Sequence, residues 1–213
     1  MKTNFSTILA GIAIAFAAAG AQAEVIVSDT TYRNFDKSSG YVSFNVDTHG
    51  LVGDLNVAIE FSKCDNPYLG AGGTSCESDD TPFENEIVFH LIGPDGRIVR
   101  LVEPRTFDEG ATGGIGRITL TFSDEGRAMG RRVQAGTYRP VEALSAFDGM
   151  DMFGVWKLFL QDTTASDPLE VYASRLIFNA ADEPVGVPEP GGVAVFGAGL
   201  LGLAALRRRR QGR

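Results

Sequence analysis

Apolar and polar residues alternate with a period of two through most of the chain between positions 24 and 180. The clearest run is DLNVAIEF, where Leu55, Val57, Ile59 and Phe61 fall on one side of an extended segment. EIVFHLI repeats the pattern with Ile87, Phe89 and Leu91, RITLTFSD with Ile118, Leu120 and Phe122, and GVWKLFLQD with Trp156, Leu158 and Leu160. Shorter runs place Tyr41, Phe44 and Val46 in YVSFNVDT, Ile98 and Leu101 in RIVRLVE, and Leu176 and Phe178 in SRLIFN. Alternation of this kind is the mark of strands with one buried face. Turn formers separate the runs: Pro94-Asp95-Gly96, Gly113-Gly114 and Asp148-Gly149. No part of this region carries a sustained helical stripe. The pattern predicts an all-β domain over 24–180, an antiparallel β-sandwich of jelly-roll-like form. Two polar segments interrupt it. Residues 62–84 read as an insertion between two strands, and residues 127–146 as a long connection.

The alternation stops at both ends. Residues 1–23 begin with Lys2, continue through ILAGIAIAFAAAG and reach Ala21-Gln22-Ala23. A basic start, a short apolar stretch and a small-x-small site predict a secretory signal peptide, cleaved after Ala23, with Ala21 and Ala23 setting the site. At the far end, residues 181–190 form a linker that closes on Pro188, Glu189 and Pro190. Residues 191–206 are apolar or small, and the tail 207–213 carries Arg207, Arg208, Arg209 and Arg210. As a helix the apolar segment spans about 24 Å, short of the ~30 Å hydrocarbon core of a bilayer. Its glycines make it a poor helix in water. The arginines hold the cytoplasmic side. Together the ends predict export by the Sec route, an inner-membrane intermediate held by the C-terminal transmembrane helix, and a final place at the cell surface or outside it.

Charge narrows the partners. The chain carries a formal net charge of -8, and six of its 19 basic residues lie in the two terminal segments. The central domain therefore holds nearly twice as many acids as bases. Such a surface repels phosphate backbones and excludes nucleic acid as a partner. The two cysteines, Cys64 and Cys76, both lie in the polar stretch CDNPYLGAGGTSC. In an exported chain that spacing favours a disulfide, which closes a loop of a size that contributes about 3 kcal/mol. The alternative is a pair of metal thiolates, although neither has a second Cys or a His nearby. Carboxylates crowd the same region: Asp65, Glu77, Asp79, Asp80, Glu84 and Glu86. They are candidate calcium ligands, since hard cations take several oxygens. A solvated acidic loop explains the same composition, and no Asp-x-Asp-x-Asp-Gly loop sharpens the case. Calcium is therefore the one candidate cofactor. Nothing points to catalysis. The two histidines, His49 and His90, have no zinc spacing, no Gly-x-Ser-x-Gly element occurs, and Ser145 sits in LSAF. No carboxylate pair stands out as a glycosidase site. The expectation is a protein that is not an enzyme and has no catalytic residues.

One long stretch carries a resemblance. From Phe122 the chain reads FSDEGRAMGRRVQAGTYRPVEALSAFDGMDMFGVWKLFLQD. The order Phe-x-Asp-Glu, Gly-x-Tyr-x-Pro, Leu-x-x-Phe-x-Gly and Gly-x-Trp-x-Leu-x-x-x-Asp resembles the P domain (P/Homo B) of proprotein convertases. These elements are Phe122 to Glu125, Gly136 to Pro140, Leu144 to Gly149 and Gly154 to Asp162. Upstream, Gly53-Asp54-Leu55 resembles the family's Gly-Asp-Leu start, and His90 to Gly96 its strand, Pro-x-Gly turn and strand. The likeness runs from about Val25 to Phe178. It departs where residues 62–84 split the first hairpin, and after Asp162, where Thr-Ala-Ser-Asp-Pro-Leu replaces a Gly-Asp-x-Gly turn. The resemblance implies a β-sandwich and a supporting role beside a subtilisin-like protease, none of which is encoded in this chain. Read from the residues themselves, Trp156 belongs to the core, His90 to an outer face, and Asp162 to a turn cap.

The tail carries a second resemblance. Pro-Glu-Pro, a short Gly-rich apolar segment and a terminal arginine cluster, in that order, closely resemble the PEP-CTERM sorting signal. That likeness implies a Gram-negative bacterium that makes exopolysaccharide, and an exosortase-type membrane enzyme that recognises Pro188, Glu189 and Pro190 and processes the tail. The combined expectation is an exported, surface-sorted protein with a structural or adhesive role in an extracellular polysaccharide or biofilm matrix. Two other roles stand beside it: a calcium- or carbohydrate-binding surface module, and an accessory P domain acting on a separate exported protease.

Overall fold

The computed structural model describes residues 24–65, 69–77, 80–110 and 113–181. The expected signal peptide with Ala21 and Ala23, the Pro188-Glu189-Pro190 motif, the apolar segment 191–206 and the cluster Arg207, Arg208, Arg209 and Arg210 lie outside the described residues, as does Asp79. No helix among the described residues is long and apolar enough to cross a membrane.

Ten strands form the domain: β1 (Glu24–Asp29), β2 (Arg33–Phe35), β3 (Ser39–Val46), β4 (Val52–Lys63), β5 (Ile87–Ile92), β6 (Ile98–Val102), β7 (Ile115–Arg127), β8 (Gly136–Tyr138), β9 (Gly154–Asp162) and β10 (Leu169–Ala180). Two short 3-10 turns, Glu84–Glu86 and Leu144–Phe147, precede β5 and β9. One sheet runs β1-β10-β4-β7-β8, with β2 also paired to β10, and the other runs β3-β9-β5-β6. All pairings are antiparallel except β7 with β8. The fold is thus an all-β sandwich of two sheets, as the alternation predicts.

The core lies between the sheets, and each strand contributes alternate side chains to it. Leu55, Val57, Ile59 and Phe61 of β4 face Trp156, Leu158 and Leu160 of β9, all essentially solvent-free. Trp156 packs edge-on against Phe147 and Phe178, and its indole N–H donates to the Met152 carbonyl at 2.8 Å, so its polar atom is satisfied inside the core.

Some details of the strand reading change. Tyr41 has the wrong parity: Val42, Phe44 and Val46 point inward and Tyr41 outward. Ile98 also faces outward, while Val99 and Leu101 fill the core. In β10, a bulge between Val171 and Ala173 inverts the alternation, so Leu169 and Val171 share an inner face with Leu176 and Phe178. The segment after β4 is not inside a split hairpin. β4 pairs with β7 and β10, whereas β5 pairs with β6 and β9, so the chain crosses from one sheet to the other there. The β5–β6 hairpin does turn at Pro94-Asp95-Gly96, with Gly96 at a φ of 84° that favours glycine.

Trp156→Ala should cost about 3–5 kcal/mol, seen as a lower urea midpoint at unchanged m-value. Val155→Ala, one residue away on the solvent side, should stay within about 0.5 kcal/mol of the parent.

Candidate functional site

The inward parity of β4 does not end at Phe61. Its next alternate position is Lys63, and the next alternate position after Trp156, Leu158 and Leu160 in β9 is Asp162. Both are fully buried at one end of the sandwich. Lys63 Nζ donates to Asp162 Oδ2 at 2.6 Å, to Glu86 Oε2 at 3.3 Å and to the Asp167 carbonyl, and the Asp167 carboxylate lies 3.4 Å away. Glu86 comes from the 3-10 turn before β5 and Asp167 from the turn between β9 and β10. One ammonium is thus surrounded by three carboxylates and a carbonyl from separate segments. A chain-borne cation fills a nest of oxygen ligands that resembles a hard-metal site in its chemistry.

Burial dominates the titration of Asp162. It pushes the Asp162 carboxyl up to about 6, against the Lys63 charge and hydrogen bond that pull it down. Asp162 also accepts from the backbone N–H of Thr164 at 3.2 Å and of Leu169 at 3.0 Å, so it caps the β9–β10 turn as expected while pairing with Lys63.

A second buried carboxylate lies on the other side of β4. Glu170 accepts from Tyr32 Oη at 2.7 Å, Ser62 Oγ at 3.1 Å, and the backbone N–H groups of Leu69 at 2.8 Å and Gly70 at 2.6 Å. Burial and this carboxylate push the Tyr32 phenol up to about 12. Cys64 and Cys76 are joined, with Cα atoms 5.5 Å apart. Gly114, at φ 77°, turns beneath the bridge, where a Cβ would sit 2.7 Å from Cys76 Sγ. The disulfide, Glu170 and the bond from Arg117 N–H to the Thr74 carbonyl, 3.0 Å, hold the loop onto the first sheet.

The candidate calcium ligands are divided. Asp65 and Asp80 line one cleft of about 460 Å³ with Glu86, Asp167 and the exposed Phe83. Glu77 lines a different pocket, formed by the disulfide loop itself. Glu84 is buried and accepts from the Val133 N–H at 3.1 Å. Among the described residues, no group of three or more His, Cys, Asp or Glu side chains is placed to hold a metal ion. The carboxylates that do converge, Glu86, Asp162 and Asp167, converge on Lys63.

The residues weighed for hydrolysis have other partners. His49 Nδ1 lies 2.7 Å from Asp151, and His90 Nε2 lies 2.8 Å from Glu103. The His49 contact and two backbone N–H groups draw the exposed Asp151 carboxyl down to about 2. The Ser145 N–H, with that of Leu144, donates to Asp124 at 2.8 Å, which caps the second 3-10 turn. Lys63 and Glu170 were not singled out by motif. The signal for Lys63 was parity alone, and Glu170 carried none, because the β10 bulge hides its side.

No family model matches the sequence, and no curated protein matches it. Among solved structures, one described as "Structure of PfGH50B" is similar at 11% identity and a TM-score of 0.35, over 76% of this chain and 23% of that one. The chain therefore spans about a quarter of the length of that protein.

Two outcomes follow for the nest. Lys63→Met leaves three carboxylates without their counter-ion and should cost about 3–5 kcal/mol. Adding Asp162→Asn to it should recover part of that loss in chemical denaturation. The second outcome concerns pH. Asp162 binds its proton more tightly folded than unfolded, so its contribution is whole below the ordinary value of 3.8 and is lost as pH rises through about 6. Asp162→Asn should therefore shrink the fall in melting temperature between those two values, measured by circular dichroism.

Proposed function

We propose that this chain is an exported protein, sorted to the cell surface by its C-terminal tail, whose P-domain-like sandwich of jelly-roll form serves a non-enzymatic structural or adhesive role in an extracellular polysaccharide matrix. The observation that carries this reading is the ordered trio at the end of the chain. Pro188-Glu189-Pro190 precedes a short apolar segment, and that segment precedes Arg207 to Arg210. An exosortase-type enzyme is the implied partner, with the apolar segment holding the protein in the inner membrane until the tail is processed.

The domain supports the compartment and the architecture. The joined cysteines suit an oxidising space outside the cytoplasm. The strand orders β1-β10-β4-β7 and β3-β9-β5-β6 support the jelly-roll reading, since two interlocked Greek keys place consecutive strands in this way. The motif residues shared with P domains have structural roles: Trp156 in the core, Asp124 as a cap, Asp162 at the end of β9. A domain held at one end by a disulfide and two buried carboxylate clusters suits persistence outside the cell.

Mass spectrometry of the protein recovered from the cell surface tests the reading. The expected form begins at Glu24 and ends near Pro188–Pro190. Recovery of surface protein with Arg213 intact would falsify tail processing.

A further inference from the structure

The two sheets differ on their outer faces. The first sheet's is partly covered: Glu170 and Tyr172 are buried under the disulfide loop and Tyr32. The outer face of the β3-β9-β5-β6 sheet is open. Across it runs one row of rings set by strand register, with Tyr41 opposite Phe159 and Phe159 opposite His90. Ring centroids are 5.2 Å apart for the first pair and 5.6 Å for the second. Tyr41 is 56% exposed. The row ends at Arg100, opposite His90, where Glu103 contacts both side chains and Glu142 holds the guanidinium at 2.6 Å.

Charge sets this face apart from the rest of the domain. The domain has nearly twice as many acids as bases, yet no outward-facing position on these four strands is Asp or Glu. Lys157, two residues from Phe159 on the same side of β9, is exposed and makes no ion pair with any described residue. Its cross-strand neighbours are Ser43 and Ile92. An unpaired ammonium on strands that turn no carboxylate outward, beside a row of rings tilted by 52° and 35° from one to the next, is complementary to an anion that presents rings of its own.

We propose that this face binds an acidic polysaccharide, a chain of uronate-bearing pyranose units. The axial C–H bonds of a sugar ring carry partial positive charge and stack on the negative face of an aromatic ring. The centroid spacing along Tyr41, Phe159 and His90 is close to the length of one pyranose unit, so successive sugars meet successive rings. Lys157 takes a uronate carboxylate, and Ser43 and Gln161 on the flanking rows supply hydrogen bonds for ring hydroxyls. This names a ligand class for the matrix role proposed above and is independent of how the tail is processed.

Affinity electrophoresis of the purified full chain in detergent, through gels containing alginate or neutral dextran, tests it. Alginate should retard the parent protein, dextran should not, and added salt should weaken the retardation. Lys157→Glu and Tyr41→Ala should each weaken it about tenfold or more, with melting temperatures near the parent's. Arg175→Glu, an equal charge change on the exposed outer side of β10, should leave it unchanged. Four results would overturn the proposal: no retardation by alginate, equal retardation by dextran, equal loss in Arg175→Glu, or self-association that Tyr41→Ala abolishes while alginate binding persists. None of them bears on the C-terminal mass that tests the sorting reading.

Discussion

Lys63 is the constraint around which one end of this sandwich is arranged. A buried ammonium is tolerable only where oxygens replace its water shell. Here those oxygens come from the end of β9, the turn before β5 and the turn before β10. Lys63 itself ends β4, so a single charge ties the two sheets together where the apolar core stops. The segments between these points are polar and rich in glycine, and they bury little apolar surface of their own. Their positions are set by electrostatic need. A lysine accomplishes this without an external ion, so the carboxylates that converge most closely in the domain already share a cation supplied by the chain.

The neighbouring cysteine extends the arrangement. Cys64 follows Lys63 directly, so the residue that anchors the ion cluster also positions the disulfide. Ser62, on the opposite side of the strand, bonds Glu170 and Tyr172. Three successive residues at the end of β4 therefore engage three different networks, inward, along the chain and outward. This is the period-two geometry of a strand used to distribute cross-links. The loop from 64 to 83 crosses between sheets, and a crossing segment has no ladder to fix it. The disulfide and the two N–H bonds to Glu170 supply that fixation.

The alternation made the sandwich readable because burying one face of each sheet is the dominant requirement, and the runs Leu55 to Phe61, Ile118 to Phe122 and Trp156 to Leu160 all follow it. It failed where another requirement intervened. Tyr41 stands at odd spacing from Phe44 and Val46, and its ring faces solvent while theirs fill the core. The β10 bulge reverses parity within one strand, which no period can express. β1, β2 and β8 are short or half-exposed and owe their strand form to the partners they pair with, so their local pattern is weak. The cysteine pairing was legible from spacing and count. The carboxylate cluster was legible only as composition: the five of these acids among the described residues divide among a cleft, a loop pocket, a backbone cap and the lysine nest. Sequence proximity places side chains in the same loop, and strand parity then decides which of them meet.

The same parity argument separates the two outer faces. In an acidic domain, carboxylates accumulate wherever solvent accepts them, so four strands with no outward-facing Asp or Glu are an uneven distribution that composition does not explain. Stability alone does not require it, since a carboxylate opposite Lys157 or Arg100 on a neighbouring strand would form a favourable cross-strand pair. Position 43 opposite Lys157 is serine, and position 45 opposite Val155 is asparagine. Small uncharged polar residues there leave the lysine accessible and the ring row unobstructed. The first sheet shows the contrary pattern: Arg117 is paired with Glu60 at 2.7 Å and stacked over Tyr172, a basic side chain engaged by its own chain. The first sheet engages Arg117 beside the loop, whereas the second leaves Lys157 accessible.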